Sequence, residues 1–126
     1  MRFGMVTFLV REYDEAISYF TQKLGFTLQE DTVLSPEKRW VCVAPGNEGA
    51  ALLLAKATSD AQIEAIGNPT GGRVAFFLYT DRFDENYNRM LAAGVNFVET
   101  PRDEEYGKVV VFRDLYGNKW DFIERP

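Results

Sequence analysis

The stretch VTFLVREYDEAISYFTQKLGF, residues 6–26, carries much of the information about the fold. β-branched and aromatic residues without breakers predict a strand over residues 3–11. Residues 13–24 repeat apolar side chains at helical spacing and place two acids in the first turn, where the helix dipole favours negative charge. Gly25 is typical of the residue that follows a helix end. The stretch therefore predicts a strand followed by an amphipathic helix.

The rest of the chain first continues with strands and then repeats the same order. Three strand-like runs, residues 26–33, 39–45 and 50–55, are separated by turns that contain Pro36 and Pro45. A second set of elements begins after a Gly-rich turn. Its strand, helix and three further strands are predicted over residues 73–80, 83–94, 95–99, 108–114 and 119–124.

The two halves can be laid over one another residue by residue. Asp14-Glu15 matches Asp84-Glu85, and Leu24-Gly25-Phe26 matches Ala93-Gly94-Val95. Such self-similarity predicts a duplicated βαβββ module. The length suits a single domain over residues 1–126. Within it we expect a first module over residues 1–57, a linker with a short helix over residues 58–72, and a second module over residues 73–126.

Composition excludes several classes of function. The net charge is −5, and Lys and Arg are scattered, so a nucleic-acid interface is not expected. No apolar stretch approaches the ~20 residues that a spanning helix needs, so no membrane association is expected. The single cysteine, Cys42, allows no disulfide and predicts a cytoplasmic location. The absence of histidine excludes Ser-His-Asp and Cys-His catalysis.

Two motifs carry a family resemblance, residues 6–26 above and FRDLYGNKWDFIE, residues 112–124. With AGVNFVETPRDEEYGKVVVF, residues 93–112, they resemble the vicinal-oxygen-chelate superfamily. This superfamily includes glyoxalase I, bleomycin-resistance proteins, fosfomycin-resistance proteins and extradiol dioxygenases. The resemblance implies an α+β fold in which two βαβββ modules form an open, incomplete barrel around a ligand pocket. It also implies a homodimer.

Strand alternation divides this implied barrel into a pocket face and a face under the helices. Trp120 is expected under the helices, whereas the face of Trp40 stays open because a shift of one residue would reverse it. The expected pocket residues are Met5, Thr7, Leu9, Leu52, Arg73, Phe77, Tyr79 and Asp121.

Metal-dependent members of the family bind one divalent ion from four symmetry-related strand positions. The matching residues here are Met5, Leu52, Arg73 and Asp121, of which only Asp121 is a suitable ligand for a hard or borderline cation. We therefore predict no metal and no other cofactor. The alternative is a shifted metal site built from Asp121, Glu124 or Asp114. An Arg73–Asp121 ion pair could take the place of the ion. Alternatively, one or both side chains reach solvent at the pocket mouth.

The function expected from the resemblance is binding or sequestration of an unidentified small organic molecule without a metal, in the manner of the bleomycin-resistance branch. The alternative is a glyoxalase- or lyase-type enzyme with a non-standard site around Asp121, Arg73 and Tyr79. A third interpretation is a structural or partner-binding dimer with a collapsed pocket.

Overall fold

The computed structural model describes all residues, Met1–Pro126. Contacts divide it into two units, Met1–Ile66 and Gly67–Pro126. The first unit forms a four-stranded sheet in the order β1-β4-β3-β2, with β1 and β4 parallel and the other pairs antiparallel. Its elements are β1 (Met5–Val10), α1 (Tyr13–Ser18), β2 (Thr27–Ser35), β3 (Lys38–Ala44), β4 (Ala51–Lys56) and α2 (Asp60–Ala65).

The helix predicted over residues 13–24 is present, but its second part is wider than an α-helix. α1 continues into a π-helical turn over Tyr19–Lys23, and the amide of Leu24 donates to the carbonyl of Tyr19 five residues earlier. Gly25 then ends the helix with a φ of 75°. The buried ring of Phe20 contacts that of Phe8 edge to face, with ring centroids 5.2 Å apart.

The second unit repeats this architecture. Its five-stranded sheet has the order β5-β9-β8-β6, with β7 also paired to β8, and β5 is parallel to β9 as β1 is to β4. The predicted α+β class is confirmed, with one mixed sheet in each unit. The elements are β5 (Phe76–Tyr79), α3 (Phe83–Ala92), β6 (Asn96–Phe97), β7 (Arg102–Glu104), β8 (Gly107–Arg113) and β9 (Lys119–Glu124).

Two predicted strands differ in extent from the observed ones. The strand expected over 95–99 is only two residues long, and the chain pairs with β8 again as β7. Pro101 lies between them and lacks the N–H that a continuous ladder needs. The strand expected over 73–80 is reduced to the four residues of β5.

The core of the second unit lies between its sheet and α3. Phe83 of α3 packs on Phe122, with ring centroids 5.1 Å apart, and Phe112 stacks on Trp120 at 5.6 Å. Trp120 is buried, as the alternation predicted. No helix in the structure is long and apolar enough to cross a bilayer.

Candidate functional site

Cross-strand pairing separates the two faces of the first sheet. Phe8 pairs with Leu54, and both side chains are buried on the side of α1. Thr7 pairs with Leu53, so these two residues lie on the opposite side. We call that side the first open face. It carries Met5, Thr7, Leu9, Leu53 and Ala55, all exposed or partly exposed.

The position predicted for Leu52 is wrong. Leu52 pairs with Val6 and Val43, which puts it on the helix side together with Leu54, and only 7% of it is exposed. Leu53 occupies the open-face position instead. The position that the resemblance implied on β4 therefore misses the observed register by one residue, and a shift of one residue exchanges the two faces of a strand.

Trp40 and Cys42, on β3, also lie on the first open face. Cys42 pairs with Leu53, and Trp40 is two residues earlier on the same strand, so both point to the side of Thr7. The Cys42 Sγ donates to Met5 Sδ at 3.8 Å. Burial raises the pKa of the Cys42 thiol, so Cys42 is a poor nucleophile.

The second sheet has an open face of its own, and three predicted pocket residues lie on it. Phe77 pairs with Asp121, and Tyr79 pairs with Ile123. The aromatic side chains are 57% and 53% exposed, respectively. The guanidinium of Arg125 covers one side of the Tyr79 ring, 4.6 Å from its centroid. We call the face that carries Phe77, Tyr79 and Asp121 the second open face.

Asp121 lies near a second carboxylate, Glu99, and a guanidinium, Arg102, neither of which the sequence had predicted at the site. Burial raises its pKa, the positive charge of Arg102 opposes that shift, and the negative charge of Glu99 adds to it. Glu99 accepts from the Val111 amide at 3.0 Å and from Arg102 Nε at 3.3 Å. The only sequence signal for Glu99 and Arg102 is that they flank Pro101, where the chain joins the edge of β8.

The proposed ion pair between Arg73 and Asp121 is not formed. Arg73 is exposed, and it makes no salt bridge with Asp121 or with any other carboxylate. It precedes the observed start of β5, so strand alternation does not govern its direction. Arg73 instead lines a separate cavity with Arg113 and Lys119. Asp121 has Arg102 as its nearby cation.

The residues at the implied metal positions do not fit a divalent ion. Leu52 faces the helix and has no donor atom, Met5 offers a soft thioether, and Arg73 carries a permanent positive charge. No group of three or more His, Cys, Asp and Glu side chains is arranged to hold a metal. The family's metal chemistry therefore has no matching set of ligands at these positions.

A cavity of about 440 Å³ lies at the end of the first sheet, beside the β2–β3 turn, and three residues of the first open face are among those that line it. Trp40, Leu53 and Ala55 provide its apolar side. Arg39 lies on its charged side, where Asp31 at 2.6 Å and Asp14 at 2.9 Å hold the guanidinium. The sequence did not indicate this cavity, because it forms where the β2–β3 turn approaches the end of β4.

Comparison with known proteins identifies the family to which the chain belongs. The model of the Glyoxalase/Bleomycin resistance protein/Dioxygenase superfamily matches residues 2–122. A protein of Shewanella frigidimarina (strain NCIMB 400) is 49% identical over 121 residues, covering 94% of this chain and 90% of that protein.

Solved structures share the architecture. UcmS2 superposes with a TM-score of 0.83 at 29% identity, covering 98% of this chain and 97% of that chain. TnmS3 from Streptomyces sp. CB03234 superposes with a TM-score of 0.78 at 22% identity, covering 100% of this chain and 97% of that chain, which shows a common fold. With the family model spanning nearly its whole length, the chain belongs to the glyoxalase/bleomycin resistance protein/dioxygenase superfamily.

Proposed function

We propose that this protein binds a small organic molecule through its open sheet faces, without a metal ion. The observation that carries the proposal is the pairing of Phe77 with Asp121 on the second open face. An exposed aromatic ring lies beside a partly buried carboxylate, at one of the four positions that the family resemblance implies for metal ligands. Such a surface offers stacking and one directed polar contact, which is how small-molecule sites combine affinity with orientation.

The first open face supports the same function. Its cavity of about 440 Å³ lies within the ~300–1,000 Å³ range of sites for drug-sized ligands. Trp40 provides a flat aromatic surface at that cavity. TnmS3, which has the same fold, is described as an antibiotic binding protein, so this architecture can present a site for an organic ligand.

The test is a thermal-shift screen of aromatic organic compounds, followed by calorimetric titration of each hit. We expect saturable stabilisation that is unchanged by chelator or by added Zn²⁺, Mn²⁺ or Ni²⁺. Phe77→Ala and Trp40→Ala each remove one stacking surface, and at least one of them should weaken binding roughly tenfold. Val33→Ala is the control, since Val33 is an exposed apolar residue on β2. Stabilisation that requires a metal contradicts the proposal.

A second candidate is an acid–base enzyme that uses Asp121. The observation in its favour is the raised pKa of this half-buried carboxyl, which is typical of catalytic acids. Arg73 is not paired with it, so Arg102 and Glu99 replace Arg73 as the charged neighbours in this version. Turnover of a hemithioacetal or a related substrate that disappears in Asp121→Asn, with the fold retained, supports the enzyme over the binding protein.

We also propose that the protein is a homodimer in the cytoplasm. Phe77 and Tyr79 are large, exposed side chains two residues apart on the same face of β5, and neighbouring exposed apolar residues are typical of interaction surfaces. Light scattering coupled to size exclusion measures the mass, and a monomer at micromolar concentration contradicts the dimer. Cell fractionation tests the location predicted from the single free cysteine.

A further inference from the structure

We infer that the second unit contains an anion site, separate from the open faces, that takes a phosphate group. The site is a cavity of about 240 Å³ between the loop that follows Ile66 and the turn that joins β8 to β9. Arg73, Arg113 and Lys119 line it, and no acidic residue does. This inference does not depend on the proposed function.

The loop and the turn are held together by a close backbone approach. Gly67 has a φ of 73°, and its α-carbon lies so near the Tyr116 carbonyl oxygen that a Cβ there would overlap it. Lys119 Nζ donates to the Gly72 carbonyl at 3.3 Å, and Arg113 Nη1 donates to the Gly117 carbonyl at 3.1 Å. The cavity therefore has walls held by backbone and side-chain contacts.

The charges at this cavity are not neutralised by the protein. Arg113 and Lys119 are cross-strand partners, so their like charges are adjacent on one face, and Arg73 lines the same space. None of the three cations forms an ion pair, whereas Arg39 and Arg102 elsewhere in the chain each contact two carboxylates. Adjacent like charges on a sheet are unfavourable. An anion in the cavity would relieve this repulsion.

The composition of the cavity selects the kind of anion. Two guanidinium groups favour an oxyanion that accepts paired hydrogen bonds, as phosphate does, and the ammonium adds a third charge. Asn68, Thr70 and Asn118 supply uncharged polar groups around them. The volume lies below the ~300 Å³ at which drug-sized sites begin, so it suits a phosphate ion or the phosphate end of a larger molecule.

The overall charge makes this cluster distinctive. The chain carries a net charge of −5, so a general attraction for anions is absent from most of its surface. Three cations without a carboxylate partner around one cavity therefore give a local positive potential on a protein that is negatively charged overall. Binding of phosphate should be localised there, and chemical-shift changes should appear in the loop and the turn.

The experiment is a titration of the ¹⁵N-labelled protein with inorganic phosphate and with methyl phosphate, against sodium chloride at matched ionic strength. We expect saturable shifts in residues 67–73 and 113–119 with both phosphates and no comparable shifts with chloride. Arg73→Gln and Arg113→Gln should each weaken phosphate binding roughly tenfold. Arg82→Gln, which removes an exposed cation from the same unit, should leave it unchanged.

Three results overturn the inference: equal effects of phosphate and chloride, shifts spread over the whole surface, or equal weakening in Arg82→Gln and Arg113→Gln. Binding of inorganic phosphate but not of methyl phosphate supports a site for the free ion. Binding of both supports a site for a phosphate monoester. Circular dichroism of each variant establishes that its fold is retained.

Discussion

The indole N–H of Trp120 donates a 2.8 Å hydrogen bond to the carboxylate of Asp114, across the turn between β8 and β9. The same carboxylate accepts from the backbone amides of Tyr116 and Asn118 and from the Asn118 side chain. Asp114 is therefore a buried anchor that ties the turn to the core of the second unit. The family motif that contains it is thus explained by structure before any function is considered.

Replacing this anchor should destabilise the protein without altering an open face. Asp114→Ala leaves several buried donors without an acceptor, and we expect a loss of about 2–4 kcal/mol in unfolding free energy. Urea denaturation followed by Trp fluorescence measures it. Asp103→Ala, at an exposed position on β7, is the control and should change stability by less than ~0.5 kcal/mol. Equal losses in the two variants would contradict this role for Asp114.

The pKa of Asp121 gives a pH-dependent prediction. The raised pKa means that the folded protein holds this proton more tightly than the unfolded chain does. Ionisation of Asp121 therefore lowers the free energy of unfolding of the protein as the pH rises from below 3.8 through the raised pKa. Asp121→Asn cannot ionise and avoids that loss. The stability of the variant relative to wild type should therefore be greater at about pH 7 than at about pH 3.5.

Urea denaturation at these two pH values provides the measurement for Asp121→Asn. Asp103→Asn removes an exposed carboxylate from the same unit and supplies the baseline. A relative stability of Asp121→Asn that decreases with rising pH would show that the pKa of Asp121 is lowered in the fold.

Two alanine substitutions separate the close approach of Gly67 to Tyr116 from the cost of a positive φ, by their effects on stability. Gly67 and Gly71 have similar positive φ values, 73° and 70°, but only at Gly67 would a Cβ meet another atom. Each Gly→Ala change should cost about 1 kcal/mol for the left-handed conformation. Gly67→Ala should lose at least ~1 kcal/mol more, because the turn must move. Thermal denaturation of both variants measures these losses. An equal loss in Gly67→Ala and Gly71→Ala would show that the close approach to Tyr116 is absent.

The packing of the first helix on its sheet predicts a large core effect. Phe20 is completely buried against Phe8, so Phe20→Ala should destabilise the protein by about 3–5 kcal/mol. Phe3→Ala is the matched control, since Phe3 is 74% exposed. Calorimetric or urea unfolding distinguishes them, and a loss below ~1 kcal/mol for Phe20→Ala would show that this ring is not in the core.

The sequence by itself determined the order of the elements, their duplication and most of their boundaries. These follow from local causes: the apolar period of residues 13–24, the positive φ required at Gly25 and Gly94, and the missing N–H of Pro101. The burial of Trp120 also followed from strand alternation. The composition of the implied metal positions could be read in the same way, because it depends on residue identity alone.

Only the tertiary structure decided which side chains meet. The pairing of Val6 with Leu52 moved Leu52 to the helix side, since the register between strands is set by the whole sheet. Glu99 and Arg102 approach Asp121 from a distant part of the chain. Arg73 lies beside Arg113 and Lys119 rather than Asp121. It belongs to a loop before β5, where side-chain direction does not follow the alternation of a strand. Local pattern specifies the elements, whereas long-range register and loop path specify the sites.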